Sequence, residues 1–299
     1  MNPAHSNPPR VAIALEMEWG YKRHLETYAG CLNYASEAGW DCVITPSSNH
    51  IFKSKKDEKP FDGVIARVTK PMATSAGRKK VPMVNVWLNS PATQVPSVHA
   101  DFEESGRIAA EHLMSRGFRR FGYLGYVREI DSKRQFKGFN DTIEPKDFQC
   151  SIHRFARTSL HGNANAWDEF RSGLLKWVAS WRPPIGIFVG NDLYCRYLMD
   201  TCQSVGLDVP HDYAIIGTSN EPSICNSPYP TLTSIDMGFE EIGYRAAGLL
   251  DRLMKGKRPP ANPELVKPQK LVPRQSTDSF AAEDPLISNA LRFIAENSY

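Results

Sequence analysis

The stretch "FEESGRIAAEHLMSRGFRRFGYLGY" (102–126) decides how the chain is read. Its first part has helical spacing, Asp101 stands before it as a candidate N-cap, Gly117 stops it, and "RFGYLGY" (120–126) reads as a strand. A helix handed directly to an apolar strand is part of a βα rhythm, and the same rhythm runs outward in both directions.

Toward the N-terminus stand "VAIAL" (11–15), a helical pattern over about 21–38, "DCVIT" (41–45), "FDGVIA" (61–66), "VPMVNVW" (81–87) and "PSVHA" (96–100). Beyond Gly117 the rhythm restarts: a helix near 131–143, "SIHRF" (151–155), a helix near 164–181, "IGIFVG" (185–190), a helix over about 192–205 and "YAIIGTS" (213–219). Strands alternating with helices imply right-handed crossovers and parallel sheets, and two rounds imply two lobes. "TLTSID" (231–236) and the helix "FEEIGYRAAGLLDRLMKG" form one βα unit more than the second round needs, so this unit is assigned back to the first lobe. The Pro-rich "KRPPANPELVKPQKLVPRQSTDSF" reads as a last strand, about 264–272, and a linker. In "AEDPLISNALRFIAENSY", Asp284 and Pro285 open a helix with an apolar stripe of Leu286, Ile287, Ala290, Leu291, Phe293 and Ile294. The expected fold class is α/β, two doubly wound lobes with parallel sheets plus a C-terminal helix. The expected boundaries are 10–118 with 236–258, 119–235 with 259–275, a linker at 276–283 and a further element at 284–299.

Composition narrows the function. The chain has 299 residues, 41% hydrophobic and 23% charged, with a net charge of +3, too slight to argue for a nucleic-acid-binding face. The two locally basic stretches, "FKSKKDEKP" and "GRKK", read as solvated loops. Cys31, Cys42, Cys150, Cys195, Cys202 and Cys225 show no C-x-x-C and read as small apolar residues of a reduced compartment. "MNPAHSNPPR" lacks the apolar core of a signal peptide and no run is long enough for a membrane span, so a cytoplasmic protein without a membrane partner is expected. No P-loop or G-x-G-x-x-G is present, and the histidines are dispersed. "GTSNE" departs from a nucleophile elbow at Glu221. No enzyme activity, cofactor or metal is expected.

In open parallel sheets the ligand lies beyond the carboxyl ends of the strands. That rule selects Glu16, Glu18 and Trp19, Asp101, Arg128 and Arg134, Asn191 and Asp192, and Ser219, Asn220 and Glu221. These side chains suit a small polyhydroxyl ligand: in-plane hydrogen bonds from the amide, carboxylate and guanidinium groups, and a stacking face from Trp19. Each has a duller alternative. Asp101, Asn191 and Asp192 precede helices and read equally as N-caps, Trp19 as a packed residue, Arg134 as a surface arginine, and Asn220 as a turn residue.

"HADFEESGRIAAEHLMSRGFRRFGYLGY", "GNDLYC", "YAIIGTSNE" and "YPTLTSIDMGFEEIGYRAAGLLDRLMKGK", in that order, resemble the lac-repressor-like sugar sensors over roughly 10–275. The resemblance implies the type I periplasmic-binding-protein fold and a sugar ligand whose binding drives lobe closure, with hinge crossings near 117–120, 232–236 and 258–262. By position it implies that Arg134 faces the effector, that Asn191 and Asp192 are the polar pair of the second lobe, and that Asp101 is an acidic edge residue. The chain departs from the family in having about nine residues before the first strand, where a helix-turn-helix is usual. It departs again at Ser219, where relatives often carry Asp. "DCVITPSS", "PPIGIFVGND" and "RQSTDSFAAEDPLISNALRFIAENSY" resemble one branch, the xylose operon regulatory proteins, which join this sensor to a C-terminal AraC-type DNA-binding domain. That branch implies D-xylose as effector, a homodimer, and promoter DNA as a partner through a C-terminal domain of which 284–299 is only the first helix. A transport-type sugar-binding protein is the alternative of the same fold.

Overall fold

A computed structural model describes residues 7–17, 22–45, 51–52, 60–156, 164–281, 286–287, 290 and 293. The chain divides into two compact units, Met1–Ala100 with Gly238–Val266, and Asp101–Met237 with Lys267–Tyr299. In chain order the first stretch forms β1 (Arg10–Ala14), α1 (Lys22–Ala38), β2 (Asp41–Ile44), β3 (Gly63–Ala66), α2 (Lys70–Lys79), β4 (Met83–Asn85) and β5 (Val98–Ala100). Next come α3 (Phe102–Ser115), β6 (Arg120–Tyr126), α4 (Ile130–Ile143), β7 (Gln149–Phe155), α5 (Ala164–Val178) and β8 (Ile185–Val189). They are followed by α6 (Asp192–Ser204), β9 (Tyr213–Thr218), the single turn α7 (Pro222–Cys225) and β10 (Thr233–Asp236). The chain ends with α8 (Phe239–Met254), β11 (Glu264–Val266) and β12 (Lys270–Val272).

In the first unit the strands run in the order β2-β1-β3-β4, all parallel, with β5 and β11 paired in parallel beside them through the bridge from Asn85 to Ser97. β3 is buried along its whole length, the near-continuous apolar run expected of a parallel strand covered on both faces. α1 and α8 pack at two glycines: a Cβ on Gly30 would lie 1.9 Å from the Glu240 carbonyl oxygen, and one on Gly243 1.9 Å from that of Thr27.

In the second unit the order is β12-β10-β9-β8-β6-β7, parallel except for β12, which runs antiparallel to β10. α3 and α4 approach just as closely, a Cβ on Gly138 falling 1.8 Å from the Glu103 carbonyl oxygen and one on Gly106 2.1 Å from that of Gln135. Tyr123, Phe139 and Phe188 pack together at the centre of this unit.

The α/β class with parallel sheets is as expected, but the boundaries lie elsewhere. α3, expected in the first lobe, packs on α4 and belongs to the second unit, so the first crossing is at Ala100 and Asp101. β10 stays with β9 in the second unit, while α8 and β11 return to the first. The single strand expected over 264–272 is two strands in different units, broken around Pro268, which has no backbone donor to continue a ladder. α2 was not expected at all. Its N-cap Thr69 accepts from the Met72 amide, Pro71 lies in its first turn, and Arg78 and Lys79 of the "GRKK" stretch sit in its last turn, where cations complement the helix dipole. Residues 53–59 of "FKSKKDEKP" and most of the helix expected at 284–299 lie outside the described residues.

The six cysteines are free thiols, and four of them, Cys31, Cys195, Cys202 and Cys225, are buried. No helix among the described residues is long and apolar enough to cross a membrane.

Candidate functional site

The richest polar cluster of the second unit is built by α6 and the loop after β9. Asn191 is the N-cap of α6, its Oδ1 accepting from the Leu193 amide at 2.9 Å. Asp192, the next residue, turns inward and is 1% exposed. Its Oδ2 accepts from the Glu221 amide at 2.9 Å and its Oδ1 from the Ser234 hydroxyl at 2.6 Å. Burial raises its pKa, and these hydrogen bonds oppose the rise. One turn on, on the same face of α6, Arg196 donates to the Ile224 carbonyl at 2.7 Å and the Pro230 carbonyl at 2.8 Å. Together, Asp192 and Arg196 fasten the 221–230 loop to the helix. Both Asp192 oxygens, expected to face a ligand, already accept hydrogen bonds from within the unit.

The loop itself is strained. Ser219 has φ 113° and Asn220 φ 52°, two successive non-glycine residues in the region that glycine favours. The Ser219 amide donates to the Ile235 carbonyl at 2.9 Å and the Asn220 amide to Ser234 Oγ at 2.9 Å. Asn220 Nδ2 donates to Asp236 Oδ2 at 3.1 Å, and its Oδ1 accepts from Arg274 Nη2 at 2.8 Å. Asn220 is thus a turn residue and a network residue at once. Ser219, Asn220 and Asn191 are all half-buried at the carboxyl ends of β8, β9 and β10.

Arg134, on α4, is half-buried and makes no hydrogen bond or ion pair among the described residues, while Arg128 is exposed. Its neighbour Gln135 is buried and donates to Thr218 Oγ1 at 3.4 Å, tying α4 to the end of β9. Asp101 caps α3, accepting from the Glu104 amide at 3.0 Å, which is its duller reading.

Beside these groups Tyr126, Phe155 and Tyr194 pack at the ends of β6 and β7 and the start of α6, with ring centroids 4.6–5.5 Å apart. Sequence reading missed them as site candidates, although Tyr126 and Phe155 end the strands it had identified.

In the first unit Glu16 accepts from Arg67 in an ion pair, and the Arg67 guanidinium lies 4.5 Å from the Trp87 ring centroid. Trp87 is held by Asn85, whose Oδ1 accepts from the Trp87 amide at 3.1 Å and whose Nδ2 donates to the Trp87 carbonyl at 3.0 Å. Arg67 and Trp87 follow β3 and β4 just as Glu16 follows β1, so the rule that selected Glu16 selects them too. Glu18 and Trp19 lie outside the described residues. Among the described residues no group of His, Cys, Asp and Glu is arranged to hold a metal ion.

Two doubly wound units, each gathering polar side chains at the carboxyl ends of its strands, are the architecture of a small-molecule-binding protein. Residues 110–277 match the family described as periplasmic binding protein-like domain, and the chain belongs to that family. Among characterised proteins it is similar to the xylose operon regulatory protein of Escherichia coli strain K12, 25% identical over 298 residues that cover 97% of this chain and 74% of that protein. The protein of the same name from Haemophilus influenzae is 24% identical over 296 residues, covering 95% of this chain and 74% of its own length. Among solved structures, that of a xylose-binding transcription activator superposes with a TM-score of 0.78 at 21% identity, covering 97% of this chain and 74% of the other.

Proposed function

We propose that the chain is the sugar-sensing part of a transcription regulator, with a pentose as effector and D-xylose first among the candidates. The observation that carries this reading is the strained, hydrogen-bonded loop Ser219–Glu221 beside Asn191, in a chain that aligns over nearly its whole length with xylose operon regulatory proteins. In the proposal, Arg134, Asn191, Ser219 and Asn220 supply polar contacts in the second unit, and Tyr126, Phe155 and Tyr194 an aromatic wall. Glu16 with Arg67 and Trp87 belongs to the first unit's part, as does Trp19. Asp101 is retained only as a cap. A homodimer acting in the cytoplasm, with promoter DNA read by an AraC-type domain, completes the proposal.

Ser219 bears on selectivity. A carboxylate accepts from two vicinal hydroxyls at once, whereas a serine offers one hydroxyl, so the sugar must be oriented more by its other contacts. A thermal-shift panel of pentoses and hexoses tests the class, because a ligand specific to the folded state raises stability by about 2.7 kcal/mol at a hundred times its Kd. D-Xylose is expected to raise the melting temperature most. Arg134→Ala should weaken its calorimetric affinity about tenfold or more, given the roughly 1–3 kcal/mol lost when a buried partner is left unpaired. Ser219→Asp should re-rank the sugars. A panel in which no sugar shifts the melting temperature overturns the reading.

A further inference from the structure

We propose that Arg274 is the positioning residue of the loop Ser219–Glu221 and couples the loop's state to the stretch 274–281 of the same unit. This rests on reading the loop as ligand-facing.

Backbone held at positive φ in two successive non-glycine residues persists only where the surroundings over-determine it. Here the backbone amides are fixed by β10, and the Asn220 side chain is fixed at both ends. Its amide nitrogen faces the Asp236 carboxylate and its oxygen faces the Arg274 guanidinium, an arrangement that the polarity of the partners permits in only one orientation. Arg274 can hold that oxygen because it is itself anchored. Its Nη1 donates to the Leu232 carbonyl at 2.9 Å, and its backbone amide donates to Thr233 Oγ1 at 2.7 Å. One planar fork thus ties the residue before β10 to the loop, which a lysine, with a single charged nitrogen on a flexible stem, does not reproduce.

The residues after Arg274 are stitched to the same unit one after another. Gln275 Oε1 accepts from the Thr231 amide at 2.8 Å, Ser276 Oγ donates to the Ile215 carbonyl at 2.7 Å, and Thr277 Oγ1 lies 3.0 Å from His112 Nε2. The Ala281 amide donates to the Arg116 carbonyl at 2.8 Å. This run begins at the residue that holds the loop. A ligand on Ser219 or Asn220 that favours one setting of the Asn220 amide therefore favours one setting of Arg274, and the linkage holds in both directions.

Hydrogen exchange with D-xylose as the probe tests this in the full chain. In the wild type, saturating D-xylose is expected to slow exchange at 218–222 and also at 274–281. In Arg274→Lys, D-xylose affinity should fall about tenfold and the response at 274–281 should disappear, while the response at 218–222 persists at saturation. Without sugar, Arg274→Lys should exchange about tenfold faster at the Asn220 and Glu221 amides. Asn220→Ala removes the same bond from the loop side and should also abolish the response at 274–281, which keeps the test available should Arg274→Lys fail to fold. An unchanged affinity with an unchanged response at 274–281 in either folded variant overturns the coupling. If the wild type binds no sugar, the functional reading fails, and the sugar-free exchange alone decides whether Arg274 holds the loop: unchanged rates there overturn it.

Discussion

Asp192 and Asn191 are adjacent, polar and both at the carboxyl end of β8, yet they do different work. The sequence makes the pair legible as a polar junction. Which member turns inward depends on the first turn of α6, on Gly217 leaving space, since a Cβ there would lie 2.1 Å from Asp192 Oδ1, and on donors 29 and 42 residues away. None of that is written locally. Asp192→Ala strands the Glu221 amide and the Ser234 hydroxyl, each costing about 1–3 kcal/mol, and should lower the urea midpoint well beyond Asp192→Asn, which keeps one acceptor. His112 gives a pH signature. Burial, and then the charge of Arg116, push its pKa down to about 4, so the fold favours the neutral ring. The unfolded chain takes up the proton near pH 6.5, so stability present above that value is lost as pH falls from about 6.5 to about 4. His112→Gln removes the titration, and unfolding curves across that range should show a flatter acid limb than the wild type.

At the scale of elements, the strongly periodic helices and the apolar strands of both sheets were legible. α2 was not, because its face is short and interrupted by Thr, Ser and Gly, although Thr69 and Pro71 carried its start signal. Mid-helix glycines were a signal left unread. Such a glycine costs about 0.5–1 kcal/mol relative to Ala, so two of them on facing helices point to close packing. Gly106→Ala would press on the Gln135 carbonyl of α4, the helix that carries Arg134. It should lower stability by about 1–3 kcal/mol and weaken D-xylose affinity together. Gly77→Ala in α2, where a Cβ meets nothing within 4 Å, should instead stabilise by about 0.5–1 kcal/mol. Urea denaturation and calorimetry of the two variants check the contrast. Arg274 was illegible for another reason: it follows a three-residue antiparallel edge strand in a Pro-rich stretch, and nothing local ties it to a loop 54 residues earlier.

Across the whole molecule, the two-unit plan was readable from the repeated βα rhythm, while the crossings were not, because helix-to-helix packing rather than strand order decides where α3 and α8 belong. The chain passes between units after Ala100, Met237 and Val266. The first unit's α1 rests on α8, and the second unit's β10 is flanked by β12. During synthesis this has a temporal consequence. When the ribosome has made the first hundred residues, the apolar side of α1 that will meet α8 has no occupant, and it waits while the entire middle of the chain is translated. β10 likewise presents an open edge until β12 emerges. Neither unit can close until residues 239–272 have emerged, so the nascent chain carries exposed apolar and strand-edge surface while everything between α1 and β12 is made. The demand on chaperones is set by how late α8 and β12 are encoded.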